Sequence, residues 1–224
     1  MKVLVIAPHA DDELFGCGGT LLKLKRAGHE IKCVLVACDK INMRHIGYVS
    51  AETRAKEFEE SCLQLSTAKP FIMYMKDSML DCEPISNLVT KLDQIIAEFE
   101  PNLMFIPEPS YHQDHQYVYQ ACIASLRPTK SKLPNEVLAY EVPTSTWNGL
   151  EQTFKPNVFY ELTEEDIEEK TKVFTTCYLS QVAQECERGA LSVTSIKTHA
   201  LYRGIEANVS TKYAEAFALL RSVK

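Results

Sequence analysis

The chain has 224 residues, with 24 Lys and Arg against 30 Asp and Glu for a formal net charge of −6, and with 46% hydrophobic and 24% charged residues. That length suits one domain, or a domain with a small appendage, and buries enough surface to need no disulfide staples. The acidic balance argues against nucleic-acid phosphates as the main partner, the ordinary composition excludes disorder, and no apolar run approaches the roughly 18 residues that cross a bilayer.

Val3–Ile6 is a short β-branched run, typical of a fully buried strand. Thr20–Ala27 reads as a helix stopping at Gly28, and Ile31–Ala37 as a second strand. Ala51–Leu65 reads as a helix with Ser50 as N-cap. Phe71–Met75 reads as a strand and Ile85–Phe99 as an amphipathic helix ending before Pro101. Leu103–Ile106 is another buried strand, His112–Leu126 another helix and Val137–Glu141 a fifth strand. This alternation implies an α/β fold with a mostly parallel sheet covered by helices. Beyond Pro143 the rhythm weakens: Asn157–Leu162 suggests an edge strand, Glu164–Cys177 a charged amphipathic helix and Tyr213–Ser222 a further helix, while 184–208 carries no clear pattern. With no repeat or long linker, a single domain is expected, residues 1–142 forming the α/β core and 143–224 a substrate-rim and packing segment.

The start, MKVLVIAPHADDE, lacks the apolar length and cleavage site of a signal peptide. The eight Cys are scattered without a CxxC pair, so they read as reduced, mostly buried small hydrophobes in a cytoplasmic protein.

Chemistry concentrates at two corners. Parallel sheets bind ligands at the carboxyl ends of their strands. The first such end carries Pro8-His9-Ala10-Asp11-Asp12-Glu13, one imidazole and three carboxylates directly after a buried run. Such a cluster is unfavourable unless a cation or a hydrogen-bond network neutralises it. His9 and Asp12 are three apart and can meet at one point, whereas the neighbours Asp11 and Asp12 must project differently, one as metal ligand and one as base. Glu13 suits a structural role at the helix N-terminus. Gly16, Gly18 and Gly19 follow, but Leu21 breaks G-x-G-x-x-G, so close packing rather than nucleotide binding explains them. The second corner, after Leu103–Ile106, holds Tyr111-His112-Gln113-Asp114-His115, with His112 and His115 one helical turn apart. His9, Asp12 and His115 together are a ligand set for a catalytic zinc with an open position. Among the other histidines, His29 reads as a turn residue, and His45 and His199 have no such company.

Pro-His-Ala-Asp-Asp-Glu resembles the (A/P)HxDDE motif of the PIG-L/LmbE-like deacetylases, and His112-Gln113-Asp114-His115 resembles their HxDH motif. Thr53-Arg54-Ala55-Lys56-Glu57 is similar to the RxxE helix of that family, Asp77-Ser78-Met79-Leu80 to its DGxL segment with Ser for Gly, Ser180-Gln181 to a late SQ pair, and Tyr202-Arg203-Gly204 with Tyr213–Phe217 to its C-terminal pattern. The resemblance spans nearly the whole chain and implies a Rossmann-like sheet with helices on both faces. It further implies zinc-dependent removal of an N-acetyl group, typically from an N-acetylglucosamine conjugate, with release of acetate and a free amino sugar. His9, Asp12 and His115 would be the metal ligands, with Fe2+ or Co2+ possible in place of zinc. Asp11 would be general base, a protonated His112 would stabilise the oxyanion, and Asp114 would orient His112 and keep it charged. Arg54 and Asp77 would face substrate, with Arg203, Tyr111 and Trp147 open as further contacts and the loop 42–48 on the rim. The resemblance allows trimers or hexamers. Two readings from other classes share these residues, a metal-dependent phosphohydrolase and a non-catalytic carbohydrate-binding protein. An iron oxygenase of the 2-His-1-carboxylate type fits poorly, because the common version of that pattern sits on an all-β fold.

Overall fold

A computed structural model describes residues 1–43, 47–128, 132–143, 154–182 and 189–224. In chain order the elements are β1 (Lys2–Ala7), α1 (Asp12–Arg26), β2 (Glu30–Ala37), β3 (Ile41–Met43), β4 (Gly47–Val49), α2 (Ala51–Leu65), β5 (Phe71–Met75), α3 (Ile85–Phe99), β6 (Leu103–Pro107), α4 (Gln113–Ser125), β7 (Glu136–Tyr140), β8 (Val158–Leu162), α5 (Glu164–Cys177), the short α6 (Leu179–Val182), α7 (Val193–Ala207) and β9 (Tyr213–Ser222).

Seven strands form one sheet in the order β5-β2-β1-β6-β7-β9-β8. The pairings β5–β2–β1–β6–β7 are parallel, and β9 runs antiparallel to both β7 and β8. The period of two in β1 divides the core between the faces. Val3, Val5 and Ala7 pack with Phe15, Phe58 and Phe174 from α1, α2 and α5. Leu4 and Ile6 pack with Leu88, Leu92, Ile96 and Val118 from α3 and α4. Helices therefore cover both faces, which is why β1 beyond Lys2 and all of β6 are apolar rather than alternating. Among the described residues no helix is long and apolar enough to cross a membrane.

The expected strands Val3–Ile6, Phe71–Met75 and Leu103–Ile106 and the helices Ala51–Leu65, Ile85–Phe99 and Glu164–Cys177 are present to within a residue or two. Ser50 caps α2, its side chain accepting from Thr53 N. Two expectations are overturned. The helix placed at Thr20–Ala27 begins eight residues earlier, at Asp12, because the glycine run lies inside it. A Cβ on Gly16 would stand 2.1 Å from the Tyr140 ring, and one on Gly19 would stand 2.6 Å from Leu162 Cδ1, so these glycines admit the sheet to the helix face. The segment Tyr213–Ser222, rich in helix-forming Ala, Leu, Glu and Arg, is the strand β9. Its two flanking partners, β7 and β8, override its local preference. The segment 143–224 thus completes the sheet as well as packing on it. Within the unassigned stretch 184–208, Val193–Ala207 is helical.

Glu215 of β9 explains why that strand is where it is. Its carboxylate accepts from Gly19 N at 2.9 Å and Thr20 N at 2.7 Å, in the middle of α1. Lys170 of α5 donates to Glu215 at 2.7 Å and to the Phe15 carbonyl at 2.9 Å. Both side chains are buried, so this pair ties α1, α5 and β9 together in a dry interior where neither charge stands alone. We expect Lys170→Met, which leaves Glu215 buried and unpaired, to lower the unfolding free energy by about 3–5 kcal/mol. Denaturant titration measures it, and a loss below about 1 kcal/mol would show that water reaches the pair.

Candidate active site and metal centre

From β1 the chain runs outward through β2 to β5, then crosses back to β6 on the other side of β1. Where the direction of winding reverses, the connections leave in opposite directions and open a crevice at the carboxyl ends of the two strands. The two polar corners of the sequence face each other across it.

Asp12 is the first residue of α1, and its Oδ2 accepts from the His9 main-chain N–H at 2.8 Å. The same oxygen stands 3.4 Å from His9 Nδ1 and 3.3 Å from His115 Nε2. Donors bound at about 2.0–2.2 Å to a tetrahedral cation stand roughly 3.3 Å apart. His9, Asp12 and His115, with ligating atoms all within 4.8 Å of one another, therefore fit a metal ion. Two imidazoles and a carboxylate suit zinc and its neighbours among the divalent transition metals. A second group, His9, His112 and Asp114, is equally close, but there the hydrogen bond between His9 and Asp114 accounts for the closeness.

That bond corrects an expectation. The Asp114 carboxylate does not meet His112; its Oδ2 lies 2.9 Å from His9 Nε2. Ser78 N and Leu80 N donate to its two oxygens at 2.7 and 3.1 Å. Asp114 thus orients the His9 imidazole from behind, as carboxylates do for rings that bind metal. Burial pushes its carboxyl up, but the hydrogen bond and charge of His9 and the two main-chain donors prevail and hold it below the ordinary value. Ser78, where the resembled motif has glycine, sits at φ 59, the left-handed region glycine enters freely.

His112 is the N-cap of α4, with Nδ1 accepting from Asp114 N at 3.2 Å. That acceptor role leaves the ring proton on Nε2. Burial, then the nearby charges of His9 and His115, hold its pKa below the ordinary histidine value. These influences favour the neutral ring over the imidazolium expected from a pairing with Asp114. Its ring stands edge-on to His9, with centroids 4.8 Å apart.

Asp11 lies beside the cluster and outside its ligand set. It is buried, has φ 119 and is the N-cap residue of α1. Burial, then repulsion by Asp12, raises its carboxyl well above the ordinary range, against the opposing charge of Arg54. Gln181 Nε2 donates to its Oδ2 at 3.0 Å. The role of Gln181 is legible only in space, because 170 residues separate it from Asp11. Glu13 is fully buried and accepts the Asp11 N–H at 3.3 Å.

Arg54 and Asp77 come together as well, Nη2 to Oδ2 at 3.6 Å, both side chains buried, with Asp77 Oδ1 4.0 Å from His9 Nε2. Arg54 Nε and Asp77 Oδ2 have no hydrogen-bond partner among the described residues. Arg203 is not free for a ligand: its guanidinium grips Glu141 at 2.5 and 2.7 Å and Glu206 at 2.5 Å. His199 stands 3.3 Å from the same Glu141. Tyr111 is half exposed. Trp147 and His45 lie outside the described residues, as does the middle of the loop 42–48.

The family described as "PIG-L: GlcNAc-PI de-N-acetylase" matches residues 4–126, more than half of the chain. The chain belongs to the PIG-L family. It is 29% identical over 145 residues to the probable N-acetyl-alpha-D-glucosaminyl L-malate deacetylase 2 of Bacillus cereus, an alignment covering 60% of this chain and 63% of that protein. It is 27% identical over 176 residues to the diacetylchitobiose deacetylase of Thermococcus kodakarensis, covering 73% of this chain and 64% of that one. The chain thus spans less than two thirds of the length of either relative. Among solved structures, N,N'-diacetylchitobiose deacetylase from Pyrococcus horikoshii shares its fold with a TM-score of 0.77 and 24% identity, over 98% of this chain and 83% of that one.

For this PIG-L chain the cluster makes a thermodynamic prediction. Burial lowers the His9 pKa, but hydrogen bonds to Asp114 and Asp12 and the charge of Asp12 overcome it and raise it to about 10. In the metal-free protein His9 therefore keeps its proton at pH 7.5, and a cation at Nδ1 must displace it. Titration of metal-free protein with Zn2+ in weak buffer should release close to one proton per ion bound, and affinity should fall as pH falls. His115→Ala should abolish tight binding. Uptake without proton release would show that His9 is already neutral in the metal-free protein.

Proposed function

We propose that the protein hydrolyses the N-acetyl group of an N-acetylglucosamine-containing conjugate, giving acetate and a free amino sugar. Zinc is the proposed resident cation, held by His9, Asp12 and His115, with Fe2+ or Co2+ acceptable to the same donors. When bound, the ion supplies Lewis acidity toward the amide carbonyl and toward water. The observation that carries the reading is Asp11, a buried carboxyl next to the cation group, outside its ligand set and shifted toward holding a proton. An amide resists hydrolysis because water is a weak nucleophile and an amine a poor leaving group. One group that takes a proton and returns it answers both problems.

Asp11 takes the proton from the attacking water and delivers it to the departing nitrogen. His112 donates from Nε2 to the amide oxygen as that atom gains charge, a neutral donor in a partly dry site. Asp114 holds the His9 ring in the orientation that turns Nδ1 toward Asp12. Arg54, whose buried Nε has no hydrogen-bond partner among the described residues, and Asp77, its ion-pair partner, present a donor and an acceptor to sugar hydroxyls or to an acidic aglycone. The names of the relatives, deacetylases of an N-acetylglucosaminyl malate and of diacetylchitobiose, support an N-acetylglucosamine substrate. All seven described cysteines are unpaired and six are buried, which supports a reducing, cytoplasmic compartment.

An acetate-release screen of N-acetylglucosamine conjugates, with and without chelator, tests the reading; chelator should abolish release and Zn2+ restore it. Asp11→Asn should bind zinc with wild-type stoichiometry and lose most of kcat. His112→Ala should raise the barrier by about 2–4 kcal/mol, the scale of one oxyanion donor. Near-normal turnover by Asp11→Asn would refute the base, and phosphate release from sugar phosphates without acetate release would overturn the reading itself.

A further inference from the structure

Asp11 is fixed at three points. Its N–H meets Glu13 Oε2, its carbonyl accepts from Leu14 N at 3.0 Å and Phe15 N at 2.9 Å, and its carboxylate accepts from Gln181 at 3.0 Å. A non-glycine residue at φ 119 persists only where its surroundings over-determine it. Two of the three fixings lead to one short segment around α6. The Tyr178 hydroxyl donates to Glu13 Oε1, which Ser61 Oγ also reaches at 2.7 Å. Ser180 donates to both oxygens of Glu57, from N and from Oγ, each at 2.6 Å. Gln181 reaches Asp11 itself. Glu13, Glu57 and Asp11 are all buried. Within four residues, three side chains therefore each hold a different buried acid.

We propose that Tyr178, Ser180 and Gln181 form a positioning clasp for Asp11. Gln181 commits Oδ2, so that proton exchange falls to Oδ1. Tyr178 acts through Glu13 on the main chain of Asp11. Ser180 anchors the segment to α2 through Glu57, one helical turn from Arg54, so base and substrate-side cation share one support. Tyr178 and Gln181 direct their side chains to Glu13 and Asp11 rather than to His9, Asp12 or His115, so the clasp governs the proton transfer and leaves cation binding alone. The proposal rests on Asp11 being the base of the hydrolysis proposed above.

The test is a double-mutant cycle with a readout that does not need turnover. Gln181→Met keeps the side-chain length and removes the donor. It should lower kcat at least tenfold, with KM and bound zinc within twofold of wild type, and should lower it less than twofold further when Asp11 is already Asn. An equal loss in both backgrounds, or no loss in the first, would overturn the proposal, because a merely structural role acts whether or not the base is present. Tyr178→Phe keeps the buried ring. It should speed hydrogen exchange of the Asp11 amide at least tenfold while the amides of Leu21–Lys25 in α1 stay unchanged. Unchanged exchange at Asp11 would overturn the main-chain arm. If wild-type protein released no acetate from any conjugate, the functional reading would fail by itself, and the exchange experiment would still decide whether the clasp exists.

Discussion

A carboxylate cannot be buried alone, and Asp12 is buried. Removing a charge from water is unfavourable by several kcal/mol unless partners replace the lost hydration. Asp12 meets that demand with the His9 main chain and with two imidazoles whose positions in the chain are far apart. Its carboxyl lies far below its ordinary value: burial opposes this, but the charge and hydrogen bond of His115 and those of His9 dominate. Around it stand three further buried acids, Asp11, Glu13 and Asp114. The crevice thus gathers more negative charge than Arg54 and the histidines balance without a cation or bound protons, which favours the proposed metal ion.

Electrostatics then separates the acids by task. Asp12 and Asp114 receive several donors and stay ionised, one facing the two imidazoles and one behind His9. Asp11 receives a single side-chain donor and lies against Asp12, so burial and repulsion dominate and it holds protons readily. Glu13 is pushed up to about 7 by burial, although the hydroxyls of Tyr178 and Ser61 pull the other way. Adjacent residues of one motif therefore differ in chemistry because their side chains leave the main chain in different directions into different surroundings.

Much of the fold was legible because both faces of the sheet are covered. Strands such as Leu103–Pro107 had to be wholly apolar, and helices such as Ile85–Phe99 had to carry an apolar stripe. The errors fall where local preference lost to packing. Glycines that normally interrupt helices lie inside α1 because Tyr140, Leu162 and Glu215 need the space. Residues that favour helices form β9 because two flanking strands and Lys170 determine their conformation. At the site, the histidines and acids announced themselves as polar residues following buried strands. The partner of Asp114 did not, because the resemblance implied His112 while the crevice supplied His9.

From the sequence alone came the alternation of strands and helices, the two polar corners and the residue types able to grip a cation, since hydrophobic period and ligand chemistry are written locally. Only the tertiary structure decided which carboxylate meets which imidazole, that His112 Nδ1 accepts from the Asp114 main chain, that Arg203 is spent on Glu141, and that Gln181 reaches Asp11. Those facts depend on distances between residues up to 170 positions apart, and such distances exist only once the sheet has brought its strand ends together.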